Sequence, residues 1–232
     1  MENPIEIGYY FKFTDMDVKH FNVLIDRETL CIDLKLKSAP PEWTKLNQHK
    51  CPNCPLDEDS HEYCPIALNL TDIMEEFRDY HAYEKANVTV TTKERTYSKD
   101  TTIQDGLGSL IGIIMVTSGC PVMDYLRPLV RLHLPFATIE ETVYRTVSMY
   151  IQAQYILERN GKYADWKLGG LDKIYFNIGQ VNKHIAKRLA EVSGKDANIN
   201  ALASLDCFAS LVPIEAGEMI DAIEGYFHAY LK

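Results

Sequence analysis

Four of the six cysteines in this chain are each followed directly by proline, an arrangement that combines reactive groups with stiff backbone. The whole chain has 10 prolines, so four Cys-Pro pairs are more than its composition leads one to expect. Thiolates bind zinc and iron–sulfur clusters, and they also act as nucleophiles and redox groups. The pattern therefore suggests a metal site, a redox site or inert buried thiols. The four residues are Cys51, Cys54, Cys64 and Cys120.

The spacing within this set favours a metal site. Two residues separate Cys51 from Cys54, and this gap lets both sulfurs reach one ion, as in zinc knuckles. Proline has a fixed φ and no amide hydrogen, which suits the first position of a helix. Cys64 and Cys120 would then lie at helix N-termini, where the helix dipole favours the thiolate. We predict a site with these four cysteines as ligands, holding zinc or, as the alternative, an iron–sulfur cluster.

Other uses of the same residues stay open at this point. A redox pair of Cys51 and Cys54 predicts a reversible disulfide and no metal. A thiol-dependent enzyme would use Cys120 as the nucleophile with His133 as its base, which requires that the two side chains be adjacent. A histidine is also a possible ligand in place of one cysteine, and the candidates are His49, His61 and His133.

The remaining two cysteines follow a different pattern. Cys31 lies in an alternating stretch and Cys207 in an apolar helical one, and neither precedes a proline. We expect both to be small buried hydrophobes.

The first hundred residues show the patterns of a small antiparallel sheet. Residues 5–13 are aromatic and partly alternating, and residues 87–97 are rich in Val and Thr, which favours strands. Residues 21–36 are predicted to form two strands around an Asp-Arg-Glu turn, because ETLCIDLKLK alternates polar and apolar side chains. Residues 39–41, Ala-Pro-Pro, end this sheet before the cysteine segment.

The second half of the chain is predicted to be almost entirely helical from about residue 103 onward. Thr138 and Glu141 have the spacing of a capping box, in which each residue satisfies a backbone amide of the other. Gly106, Gly108 and Gly112 do not match a dinucleotide-binding motif, and we expect them to allow close approach of a neighbouring helix. In this half, helices are predicted at residues 138–159, 174–192, 196–211 and from 213 to the end. One further helix is predicted earlier in the chain, at residues 69–83.

These elements together predict an α+β fold. It consists of a small N-terminal antiparallel sheet, a cysteine-rich metal loop and a C-terminal helical bundle. Residues 1–100 are predicted to form the sheet and the Cys-Pro region, and residues 101–232 are predicted to form the bundle. The two parts are expected to form one compact unit.

Composition and charge narrow the classes of partner. The hydrophobic fraction of 46% and the charged fraction of 25% are ordinary for a globular protein. The formal net charge of -9 disfavours both nucleic acid and anionic membranes as partners. Residues 107–116 are the most apolar stretch and are far shorter than the roughly 20 residues that span a bilayer. With no secretory signal at the start, we expect a cytoplasmic protein, where clustered cysteines more often bind metal than form disulfides.

Short motifs also suggest a family. CPNCPL, YCPIA, SGCP and HLPFATIEET occur in this order. Because of these motifs, the chain resembles a family of uncharacterised bacterial proteins, a domain-of-unknown-function group, and the resemblance extends over most of its length. The resemblance implies a bacterial protein without an established activity and supplies no catalytic role for any residue. The metal hypothesis rests on the residues alone.

The function expected from these patterns is that of a cytosolic metal-binding accessory or regulatory protein. Its site would be structural or sensory, and it would act by binding a protein partner or a second copy of itself. The alternative is the thiol-dependent enzyme described above. The last helix offers an acidic face that is a possible contact for a partner, formed by Glu215, Glu218, Asp221 and Glu224.

Overall fold

The protein is described by a computed structural model over residues 3–14, 17–33 and 39–232. It has an α+β fold, as predicted, with an antiparallel sheet formed by the N-terminal part and helices that lie mostly in the C-terminal part. The strands are β1 (Ile5–Lys12), β2 (Val18–Ile25), β3 (Lys85–Thr91) and β4 (Thr96–Thr102), in the order β2-β1-β3-β4. The helices are α1 (Pro65–Glu76), α2 (Ile103–Thr117), a 3-10 helix (Met123–Leu132), α3 (Ile139–Arg159), α4 (Gly169–Val192) and α5 (Ala197–Ile223).

The sheet buries one face because its strands alternate. In β1 the side chains of Ile7, Tyr9 and Phe11 are at most 1% exposed, whereas Glu6 and Lys12 point to solvent. The predicted strand at 87–97 is in fact a hairpin of β3 and β4. A turn interrupts it, in which the amide of residue 92 donates to the carbonyl of residue 95.

The predicted meander at residues 21–36 is only partly present. β2 begins earlier, at Val18, and the chain turns after it because the Asp26 carboxylate accepts hydrogen bonds from the amides of Glu28 and Thr29. Beyond the turn, a single bridge joins Ile32 to β2. Residues 34–38 of the second predicted strand lie outside the described residues.

The helix predicted at 69–83 lies one turn earlier. α1 begins at Pro65, with Cys64 as the residue that precedes its first turn, and it ends at Glu76. The start follows the preference of proline for the first helical position, which the Cys-Pro pattern had indicated. Phe77 then leaves the helical path, and its ring is fully buried against Phe11 and Phe21.

The bundle forms around α5, which packs against α2, α3 and α4. The capping box of α3 is confirmed: the amide of Glu141 donates to Thr138 Oγ1 at 3.2 Å, and the amide of Thr138 donates to Glu141 Oε2 at 2.8 Å. α3 also ends where predicted, at Arg159, and Gly161 follows with a φ of 69°.

The predicted break before Pro213 is wrong. α5 runs without interruption from Ala197 to Ile223 with Pro213 inside it, and residues on both sides of the proline, such as Val212 and Ala216, are buried. Tertiary packing therefore outweighs the loss of one backbone hydrogen bond at the proline.

α5 is also notable for its hydropathy. Among the described residues, the helical stretch Ala197–Phe227 is long and apolar enough to cross a membrane by length and composition, and 33% of its most apolar window is buried.

Close contact between α2 and the sheet depends on a glycine. A Cβ atom on Gly106 would lie 2.6 Å from Phe11 Cε1 and 2.8 Å from Val88 Cγ2, which is closer than carbon atoms approach in proteins. This glycine does allow close packing, but its partner is the sheet and not the predicted neighbouring helix. One hydrophobic core includes the inner face of the sheet, α1, α2 and the helices of the bundle.

Candidate functional site

A loop between β2 and α1 contains three of the Cys-Pro residues, and a buried arginine stabilises it. Arg188 of α4 is 1% exposed, and its guanidinium donates to the carbonyls of Trp43 (2.9 Å), Lys45 (2.6 Å) and Leu46 (3.0 Å). The amide of Cys64 donates to Thr44 O at 2.8 Å. The backbone just before α1 is therefore attached to the segment that Arg188 orients.

The Cys51–Cys54 pair lies in a tight turn of this loop. The amide of Cys54 donates to Cys51 O at 3.0 Å, which brings the two residues onto the same side of the chain. Asn53 between them donates through Nδ2 to Asn177 O of α4 at 2.9 Å. Both cysteines are half-buried and pack against the hydrophobic core.

Cys64 and Cys120 are buried, at 7% and 8% exposure, and each precedes a turn of helix. Backbone amides of Ile66 and Ala67 hydrogen-bond to the thiol of Cys64, as those of Val122 and Met123 do to the thiol of Cys120. These hydrogen bonds favour the thiolate, as the Cys-Pro pattern predicted. Burial is nevertheless the larger effect, and it raises the pKa of both thiols above the ordinary value.

The four Cys-Pro thiols lie near enough to affect one another's ionisation. Burial raises the pKa of Cys51 to about 12, and the nearby thiols of Cys64, Cys120 and Cys54 contribute to the rise. Cys54 also raises the pKa of Cys64, and both Cys54 and Cys64 raise that of Cys120. The positive charge of Arg188 acts in the opposite direction on Cys51 and Cys64. Every pair within the set therefore interacts electrostatically.

The side chains do not form a closed ligand set. Across residues 3–14, 17–33 and 39–232, no group of three or more His, Cys, Asp or Glu side chains converges at metal-binding geometry. All six cysteines are free thiols. The raised pKa values keep Cys51, Cys64 and Cys120 protonated at neutral pH, and a protonated thiol is not a metal ligand.

The three candidate histidines have other partners. His49 Nε2 lies 2.6 Å from Glu191 Oε1, and His61 Nδ1 lies 2.9 Å from Ser60 Oγ. His133 Nε2 lies 2.5 Å from the hydroxyl of Tyr9. In the described part of the chain, no hydrogen bond joins Cys120 to His133, so the nucleophile–base pair stays a prediction.

The other two cysteines are not part of the hydrophobic core. Cys31 is half-buried and its thiol donates to Thr29 O at 3.7 Å. Cys207 was expected to be a small buried hydrophobe, and this is wrong because its position on α5 faces solvent.

Arg188 is the important residue that the sequence reasoning missed. A signal for it exists, because it follows Val181 by seven residues and Ile185 by three, on the apolar face of α4. A cation in such a position must have buried hydrogen-bond acceptors. The sequence does not indicate that these acceptors are backbone carbonyls more than 140 residues earlier.

Comparison with known proteins gives a family. No curated protein and no solved structure matches the chain. One family matches residues 7–228, which extend from β1 to the turn after α5 and include all four Cys-Pro motifs. Since this match covers nearly the whole chain, the protein belongs to the family described as a domain of unknown function, DUF6901.

Proposed function

We propose that this protein is a cytoplasmic metal-binding accessory or regulatory protein. Cys51, Cys54, Cys64 and Cys120 would be the ligands of one metal centre with a structural or sensing role. The observation that supports this is the proximity of the four Cys-Pro thiols. Three of them come from the loop between β2 and α1 and the fourth from the turn after α2, and all four pack against the hydrophobic core.

Metal binding would relieve the electrostatic cost of this arrangement. Burial and mutual proximity disfavour several thiolates at once, and a divalent cation reverses that effect because it stabilises each thiolate directly. The amides that donate to Cys64 and Cys120 would remain as hydrogen-bond donors to the bound sulfurs. Binding would release protons and draw the four side chains together.

Zinc is the proposed ion, since it takes four thiolates in a tetrahedral structural site. An iron–sulfur cluster is the alternative, because the same four ligands suit it. The two differ in properties that are easily measured, namely colour and acid-labile sulfide.

The first experiment is metal and sulfide analysis with a visible spectrum on anaerobically purified, untagged protein. We expect about one zinc per chain and no colour. Iron with sulfide would instead identify the cluster. Absence of both, also after zinc is added to the reduced protein, would contradict the proposal.

Two cysteine variants provide a matched comparison. Cys51→Ser should lower both the zinc content and the thermal stability, because a structural site contributes folding free energy. Cys207→Ser removes an exposed thiol and should leave both unchanged. Equal effects in the two variants, or a reversible disulfide between Cys51 and Cys54 in wild-type protein that binds no zinc when reduced, would contradict the metal site.

Alkylation tests the enzyme alternative independently. In the folded metal-free protein, iodoacetamide should modify Cys207 first, since Cys120 is buried and burial raises its pKa. Selective modification of Cys120, measured by peptide mass spectrometry, would favour a catalytic thiol instead.

The partner is proposed to be a protein. Large apolar side chains are exposed after the end of α5, and groups of such residues on a surface are common where proteins associate. The most exposed are Tyr226 (79%), Tyr230 (87%) and Leu231 (67%). Light scattering on the metal-loaded protein, with and without these residues, tests self-association as the first case.

A further inference from the structure

A second candidate site is a cavity of about 430 Å³ on the side of the bundle next to the sheet. α2, the 3-10 helix Met123–Leu132, the start of α3 and the middle of α5 enclose it. This volume is within the range of small-molecule binding sites. Its walls are mostly apolar and include Ile113, Val116, Leu129, Phe136, Leu205 and Phe208.

One half-buried charged group in this mostly apolar lining forms no ion pair. Arg145 of α3 donates through Nη2 to Leu129 O at 3.2 Å, and its buried Nε has no hydrogen-bond acceptor. Glu141, one turn earlier, accepts from the amide of Thr138, and its negative charge also favours the charged form of Arg145. Among the ion pairs of the described residues, none involves Arg145. Burial lowers the pKa of Arg145, yet a guanidinium stays charged at neutral pH.

The other polar groups at the cavity do not neutralise this charge. Tyr9, Ser109 and His133 form a chain, in which the Tyr9 hydroxyl lies 2.9 Å from Ser109 Oγ and 2.5 Å from His133 Nε2. Burial and the charge of Arg145 lower the pKa of His133 to about 3, so its ring is neutral at pH 7. Asp105 is exposed at the rim, where its Oδ2 accepts from the Thr101 hydroxyl at 2.7 Å.

Backbone conformation at the cavity is also unusual. Phe136 has a φ of 60°, a left-handed conformation that is rare and strained for a large side chain. Its ring lines the cavity, and Lys99 Nζ lies 6.0 Å from the ring centre. Strain of this kind is frequent at ligand sites, where the surrounding structure maintains it.

We propose that this cavity binds an amphipathic monocarboxylate. The apolar walls would bury an aliphatic chain of medium length, and the carboxylate would accept hydrogen bonds from the terminal nitrogens of Arg145, which lines the cavity. A carboxylate matches the planar guanidinium in geometry, and its one negative charge balances the half-buried positive charge of Arg145. Lys99 also lines the cavity, but it is exposed to solvent, so Arg145 is the cation that an occupant of the apolar interior would meet. The proposal is independent of the cysteine site.

Calorimetry with decanoate as the probe tests the proposal. We expect one decanoate to bind per chain, and decanol, which has the same chain length without charge, to bind at least about tenfold more weakly. The reason is the loss of charge-assisted hydrogen bonds, which corresponds to roughly 10- to 150-fold in affinity. Absence of decanoate binding, or equal affinity for decanol, would overturn the proposal.

Variants connect the binding to this cavity. Arg145→Gln should weaken decanoate binding by at least about tenfold and leave decanol binding nearly unchanged. Arg159→Gln, an exposed position on the same helix, should change neither. Ala137→Phe adds a ring at the cavity wall without removing a charge, and it should block both ligands. Wild-type affinity in both Arg145→Gln and Ala137→Phe would place the ligand elsewhere and overturn the assignment.

Discussion

Arg188 shows at the scale of one residue how a buried charge organises a loop. Its two terminal nitrogens donate to three backbone carbonyls, which take the place of water around the charge, although Nε has no acceptor. The loop that it orients has little regular structure of its own beyond a short 3-10 turn and one bridge, between Lys45 and Tyr63. The positions of Cys51, Cys54 and Cys64 therefore depend on a residue that is not itself a candidate ligand.

Replacing Arg188 should be severely destabilising. Arg188→Met keeps an unbranched apolar stem but leaves the carbonyls of Trp43 and Leu46 without donors and Lys45 O with only the amide of Gln48, and we expect a loss of about 3 kcal/mol in the free energy of unfolding. Lys187→Met, at the exposed neighbouring position, should change it by less than about 0.5 kcal/mol. Urea denaturation measures both variants. A loss below about 1 kcal/mol in Arg188→Met would show that the loop does not need this residue.

His133 gives the protein an acid sensitivity of predictable sign. Its pKa is about 3 in the folded protein and about 6.5 when unfolded, so only the unfolded chain binds a proton between these values. The contribution of His133 to the free energy of unfolding is fully present above pH 6.5, and it is lost progressively as the pH falls from 6.5 towards 3. Within this range, the free energy of unfolding falls by at most about 1.4 kcal/mol per pH unit because of this group.

The measurement is denaturation of wild-type and His133→Gln protein at several pH values between about 4 and 7, within the window where the proton uptake of the two states differs. The amide of glutamine can still accept from the Tyr9 hydroxyl, but it does not titrate. We therefore expect a shallower decline in the variant. His228→Gln, at an exposed position, should behave as the wild type. Identical slopes in wild type and His133→Gln would show that His133 is not buried as a neutral ring.

Local signals explain which elements the sequence predicts well. The capping box of α3 and the proline at the start of α1 depend on residues within four positions of one another, so local chemistry determines both. Alternation in β1 similarly reflects one strand with one buried face. The boundaries of α5 do not follow local signals, because contacts with three other helices keep Pro213 within the helix.

In the candidate site too, local features could be predicted from the sequence, and features that depend on the fold could not. The thiols were recognisable from residue type and from their prolines, since both belong to short motifs. Their mutual proximity depends on the path of the chain between residues 64 and 120, which includes half of the sheet and all of α2. The cavity around Arg145 was missed because its walls come from four elements, and no short motif describes their arrangement.

Packing of α2 on the sheet gives a prediction at the scale of elements. Gly106→Ala adds a methyl group where Phe11 and Val88 leave no space, so α2 must move away from β1 and β3. We expect a loss of about 1–3 kcal/mol in the free energy of unfolding, as for other overpacked cores.

Gly217→Ala is the matched control, because this α5 glycine has no atom within 4 Å of the added Cβ. Alanine is the better helix former, so this variant should gain about 0.5–1 kcal/mol. The two substitutions are chemically identical, and urea denaturation should separate them by sign. A stabilising effect of Gly106→Ala would contradict the observed contact of α2 with the sheet.

At the scale of the whole molecule, the end of the chain contributes little to folding. Every residue from Glu224 to Lys232 is exposed, whereas the last buried side chain of α5 belongs to Met219. A chain that ends at Ile223 should therefore keep its Tm within about 2 °C of the full-length value, which corresponds to less than about 1 kcal/mol.

A second truncation, ending at Leu211, is the control for that experiment. It also removes Val212, Ala216 and Met219, and it should lower the Tm by at least about 6 °C because several kcal/mol of apolar burial are lost. Calorimetry measures Tm, and light scattering on the chain ending at Ile223 measures association. If that chain keeps its stability but loses self-association, the exposed aromatic residues serve binding. A large fall in its Tm would show that they serve the fold, contrary to their exposure.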